Sequence, residues 1–172
     1  MSNEIIVNKV ALSALTTINL EDYYPTQPIV AFDLQPYLYM GLILREKEFR
    51  QSLKDTDLTP YHNAIVALHC STEAIIPVWA YMLVAATLKP IANNVMHGSV
   101  EAVTSQVIIN NLHQINRNTY EGQRIVIKGC GDKHISEAVY VTITTLLQPV
   151  VKSIMYGEPC STVPVYKNKL AN

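Results

Sequence analysis

Apolar and polar positions divide this chain into a partly alternating opening, a charged amphipathic stretch, and a series of brief apolar runs separated by longer helical ones. Leu15-Thr16-Thr17-Ile18-Asn19-Leu20 is β-branched and partly alternating, which predicts a strand. Glu21-Asp22-Tyr23-Tyr24-Pro25 breaks it, and Ile29-Val30-Ala31-Phe32 predicts a second strand. Asp33 is placed to cap a short helix over residues 35–44, with Pro36 tolerated in its first turn. Over residues 44–54, Leu44, Phe49 and Leu53 fall near helical spacing, with charges elsewhere, as in an exposed amphipathic helix. Glu46 and Glu48 are interleaved with Arg45, Lys47 and Arg50, so they read as a solvated face and not as an acid–base pair.

From Ala64 the pattern changes. The apolar run 64–68 predicts a strand covered on both sides. Ser71 or Thr72 is expected to cap the following helix, with Glu73 near its positive end and Pro77 close to its first turn. That helix is apolar all round, and Trp79, Tyr81 and Met82 read as core packing. Val95-Met96 restarts a strand. Ser99 caps a helix over 100–115, residues 117–122 turn, residues 124–128 form a strand, Ser136 caps a helix to about Leu147, and residues 153–156 form the last strand. The tail from Gly157, stiffened by Pro159 and Pro164, is not expected to be helical.

Two stretches match. Residues 65–99 and 125–158 each pass from a β-branched run to a cysteine, then through an apolar helix to Pro90 or Pro149. Each closes on a similar run, Val95-Met96-His97-Gly98 or Ile154-Met155-Tyr156-Gly157. Strands alternating with helices at this spacing predict an α/β fold, a mainly parallel sheet built from two duplicated βαβ halves. The expected layout is a single domain over 1–172. It comprises an irregular α+β segment of N-terminal strands and helices over 1–60, a first βαβ unit over 61–99, a second over 124–158, and a tail over 159–172.

Composition narrows the function. With 172 residues, 49% apolar and 16% charged, the chain is long enough for one well-packed domain. A net charge of −1 offers no footprint for nucleic acid or an anionic membrane surface. Neither a signal peptide nor a membrane helix is expected. Three cysteines without an export signal predict reduced thiols in the cytoplasm. The low charge is compatible with a homo-oligomer.

Strand polarity ties the cysteines together. Ligands gather at the carboxyl ends of parallel strands. Cys70 and Cys130 each follow a strand, and Cys160 follows the last one. His97 lies at the same expected edge, and His134 lies four residues after Cys130. Three thiolates with a histidine would suit zinc or iron, including an iron–sulfur species. Glu73, Ser161 and Glu158 would then stand as outer supports. A helix starting just after Cys70 would stabilise its thiolate. Three readings stay open: the metal site, a cysteine-dependent enzyme or redox protein with His97 or His134 as base, and a non-catalytic interaction protein whose cysteines are small hydrophobes. His69 is a poor base, because adjacent strand residues point to opposite faces. Gly129-Cys130-Gly131-Asp132-Lys133 reads as a plain turn before it reads as an anion cradle. His62 and His113 read as surface residues.

The segments Cys70-Ser71-Thr72-Glu73-Ala74-Ile75-Ile76-Pro77-Val78-Trp79-Ala80-Tyr81, Lys128-Gly129-Cys130-Gly131 and residues 152–164 (KSIMYGEPCSTVP), with Gly41-Leu42-Ile43-Leu44-Arg45-Glu46-Lys47, resemble a Bacteroidetes family known as a domain of unknown function. The resemblance covers nearly the whole chain. It implies a cytoplasmic single-domain protein near metal or cluster handling, with iron–sulfur assembly proteins as partners. It carries the three cysteines and does not carry His97 or His134.

Overall fold

The computed structural model describes residues 15–129 and 131–168. In chain order its elements are β1 (Leu15–Asn19), β2 (Ile29–Asp33), α1 (Glu46–Asp55), β3 (Ile65–His69), α2 (Val78–Leu88), β4 (Asn94–His97), α3 (Val100–His113), β5 (Arg124–Lys128), α4 (Glu137–Leu147), β6 (Ser153–Glu158) and β7 (Ser161–Lys167). The chain is α/β, with mainly parallel strands, as the alternation of runs predicts. The strands form two sheets where one was expected. They belong to two compact units, one of residues 25–106 and a second whose described residues are 15–24, 107–129 and 131–168.

In the unit 25–106 the strands lie in the order β2-β3-β4, all parallel. β3 is the middle strand, so its apolar run is buried throughout, from Ile65 to Leu68. The core joins Phe32, Leu34, Phe49, Leu53, Val66 and Leu68 to Ala80, Val84 and Leu88. The last three recur every fourth residue and form the inner stripe of α2. Phe49 in the first turn of α1 lies against Trp79 in the first turn of α2, ring centroids 6.1 Å apart. Further along, Leu53 and Lys54 share a hollow with Leu83 and Thr87. The two helices therefore run in the same direction.

The other unit has the order β1-β5-β6-β7, with β1, β5 and β6 parallel and β7 antiparallel. Here Val139, Ile143 and Leu147 form the inner stripe of α4, at the same spacing as in α2. They pack with Ile18, Leu20, Ile108, Leu112, Ile125, Ile127 and Ile154.

Three local expectations change. The helix over 35–44 shrinks to a 3-10 turn, Gln35–Tyr37. Met40 (φ 52°) and Gly41 (φ 70°) then turn left-handed and fold the chain into a bridge between Tyr39 and Ile43. The N-cap is Leu34 in place of the expected Asp33, whose Oδ1, one residue earlier, accepts from the Gln35 N–H at 2.9 Å. Neither Ser71 nor Thr72 caps α2. Pro77 stands at the N-cap and keeps Ile76 out of the helix, so residues 70–77 are an irregular loop. The tail is not helical, as expected, and forms a strand, β7, joined to β6 by the two-residue turn Pro159-Cys160. Finally, α2 is not buried all round: Val78 is 74% and Met82 67% exposed.

Candidate functional site

The carboxyl ends of β2 and β3 set the geometry of unit 25–106. α2 leaves the end of β3 and returns to the start of β4, so its N-terminus lies at that edge. The parallel α1 begins there too. Arg45, at the N-cap of α1, stacks 3.1 Å over the centre of the Tyr39 ring, which anchors the 39–43 hairpin to the same edge.

Polar groups tie the loops down. Asp33 Oδ1 also accepts from the Ser71 N–H at 3.0 Å. Burial pushes the Asp33 carboxyl up, but hydrogen bonds from Ser71 and Gln35 and the nearby His69 outweigh it and hold the carboxyl below its ordinary value. Cys70 Sγ is 3.4 Å from Thr72 Oγ1. Tyr81 lies beside Cys70, and burial, then the electrostatic influence of Cys70, push its hydroxyl up. The ring of Tyr81 meets His97 edge to face at 5.1 Å.

Around these groups the edge is apolar and open. Met40 is 77% and Ile75 89% exposed, and Tyr39, Leu42, Ile43, Val78 and Met82 are exposed as well. All seven sit in the loops after β2 and β3 or in the first turns of α2.

In the other unit the corresponding edge is internally paired. Asn19 Oδ1 accepts from the Glu21 N–H at 3.2 Å, and Glu21 Oε1 accepts from the Lys133 N–H at 3.2 Å. The Glu21 carboxylate fills the space that a Cβ on Gly131 would need. Lys133 Nζ lies 4.7 Å over the Tyr24 ring, and the Tyr24 hydroxyl donates to the His134 carbonyl at 2.6 Å. Lys128 and Glu158 pair at 3.0 Å. Above the sheet, Ile127, Tyr140, Val141, Met155, Tyr156 and Val165 line an open groove of about 510 Å3.

Residues 4–168 match the family described as "Protein of unknown function (DUF2480)". The chain belongs to the DUF2480 family. No curated protein and no solved structure matches it. Among the described residues, no helix of this DUF2480 chain is long and apolar enough to cross a membrane.

The expected site residues fall as follows. Cys70 is half-buried after β3, and His97 ends the adjacent β4, with Tyr81 contacting one and lying beside the other. Cys160 is exposed in the turn after β6. Cys130 lies outside the described residues. His134 is exposed, with its carbonyl engaged by Tyr24, and Glu73 is exposed in the loop after Cys70. Glu158 pairs with Lys128, and Ser161 opens β7 with its carbonyl against Gly157. Among the described residues, no three His, Cys, Asp or Glu side chains converge as a metal site. The reading that α2 stabilises a Cys70 thiolate lapses, because the first helical residue is Val78.

Sequence reasoning missed the open apolar edge. Its signals were present: Met40-Gly41-Leu42-Ile43 around a turn glycine, and a helix with no polar outer face.

Proposed function

We propose that this DUF2480 chain is a cytoplasmic interaction protein that docks a partner through the apolar edge formed by residues 39–43 and 75–82. One observation carries the reading: a helix apolar on every side, buried on only one. An outer face of Val78, Met82 and the half-buried Ala85 gains nothing from water, and contiguous apolar surface of this kind marks association sites. The Asp33–Ser71 and Arg45–Tyr39 contacts fit this role, since they hold the loops in place. A photo-crosslinking residue in place of Met82, introduced in cells, tests it. The expected result is a discrete adduct that is absent when the same residue replaces Lys54 on α1.

A second reading keeps the thiols as ligands for zinc or iron, which would place iron–sulfur assembly proteins among the partners. Its support is topological: Cys160 follows β6, and the segment holding Cys130 follows the neighbouring β5. Metal analysis of protein purified without oxygen tests it. Less than stoichiometric zinc and iron would exclude this reading.

We also read the two units as diverged copies of one half. Their support is the common element order and the equal spacing of the buried stripes in α2 and α4.

A further inference from the structure

We propose that the partner at this edge is a second copy of the chain, with α2 packed antiparallel against α2 of that copy. The inference rests on the docking reading above and names its occupant.

Three observations on the surface select a copy. The first is area. Val78 and Met82 on α2, Ile75 in the loop before it and the exposed residues of the 39–43 hairpin together offer a total surface of roughly 800 Å2, about what each partner buries in a standard protein–protein interface. The second is shape. The outer stripe of α2 runs Val78, Met82, Ala85 and Ala86, so bulk at its N-terminal end gives way to small residues at its C-terminal end. In a two-fold antiparallel contact, Val78 of each helix lies over Ala85 of the other and the two Met82 side chains meet near the axis, the self-complementarity that an isologous interface requires. The third is charge. Glu73, exposed in the loop that leads into α2, precedes the stripe, and Lys89, exposed two turns past Met82 at the C-cap, follows it. Among the described residues neither has an ion-pair partner. An antiparallel copy brings Lys89 of one chain to Glu73 of the other, twice across the axis. A parallel arrangement would oppose like charges.

Sedimentation equilibrium of the full chain from 1 to 100 µM tests the proposal. A dimer is expected. Met82→Glu, at a position 67% exposed, raises the dissociation constant at least about 100-fold. Glu73→Lys or Lys89→Glu alone raises it about 10-fold, and the two together restore it to within about threefold of the unaltered chain. Lys54→Glu leaves it unchanged. A monomer at 100 µM, or a dimer indifferent to Met82→Glu, overturns the proposal. So does a charge swap that fails to rescue. The crosslink at position 82 separates the two levels of the argument. An adduct of twice the chain mass supports pairing of copies. An adduct of any other mass overturns it while leaving the docking reading standing. No adduct overturns both.

Discussion

Tyr81 presents its ring edge to His97 at 5.1 Å with the planes 79° apart, and in the other unit Tyr140 and Tyr156 meet at 5.7 Å with the same 79°. In each case the first ring comes from the first turn of the helix and the second from the strand that follows it. The contact thus fastens helix to strand near the carboxyl end of the sheet. Truncating His97 or Tyr156 to Ala should each cost about 1 kcal/mol beyond the lost burial. Tyr81→Phe keeps the ring and should stay within about 0.5 kcal/mol of the unaltered chain. Urea unfolding followed by circular dichroism reads all three.

Two glycines separate a soft clash from a hard one. At Gly131, a Cβ meets only the carboxylate end of Glu21, which can swing away. Gly131→Ala should therefore cost about 1 kcal/mol, the worth of the Lys133 hydrogen bond and its local order. At Gly157 the φ is 119° and a Cβ would lie 2.5 Å from the Ser161 carbonyl oxygen, which is backbone. Gly157→Ala should cost at least about 2 kcal/mol and open the β6–β7 hairpin. Amide exchange on β7, faster in the second variant than in the first, distinguishes them.

Each unit has its own buried stripe, so large-to-small changes should act alike in both. Leu88→Ala and Leu147→Ala remove fully buried side chains at matching helix positions and should each cost about 2–5 kcal/mol. Met82→Ala, on the outer face, should change the monomer's stability by less than about 0.5 kcal/mol. Thermal melts at low concentration check the contrast.

Alkaline pH should weaken the unit that holds Tyr23. Burial first, then the neighbouring Tyr120, and last Asp22 raise its hydroxyl to about 12. A group with a raised folded pKa favours the folded state fully below its ordinary value near 10 and loses that contribution as pH rises toward 12. Stability should fall across that interval, and the fall should be shallower in Tyr23→Phe. Asp33 carries the opposite sign. Its lowered pKa favours folding above the ordinary carboxylate range, and the contribution fades as pH falls below about 4. Asp33→Asn should be less stable than the unaltered chain at pH 7, and the gap should narrow in acid. Paired melts at pH 3, 7 and 11 give both slopes.

Much of the fold was legible because period and burial agree. The continuous runs at 65–68 and 125–127 are strand interiors, and Phe49 and Leu53 do mark one face of a helix, while Leu44 stands just before its N-cap. Boundaries failed where single residues overrule the pattern: Pro77 delays α2, and Met40 with Gly41 ends the turn after Pro36. β7 was hidden because Pro164 weakens a strand signature, although edge strands tolerate proline. The assumption of one sheet also had no local correction, since nothing in β1 or β2 says which later strand each will join. The chain pairs β1 with β5 and β2 with β3. Polar residues at strand ends were easy to name. The apolar edge was not, because a helix without polar positions reads as buried until its neighbours are known.

That pairing has a consequence for how the protein is made. Residues 25–106 interrupt the sequence of the other unit, so Leu15 leaves the ribosome long before Arg124, its partner across the sheet. At translation rates of about 5–20 residues per second, β1 waits roughly 5–20 s without its partner strand. The interrupting unit is complete within that wait. Synthesis therefore imposes an order, inner unit first and outer unit last. Until Arg124 emerges, β1 has no partner strand, although all of residues 25–106 have already been synthesised.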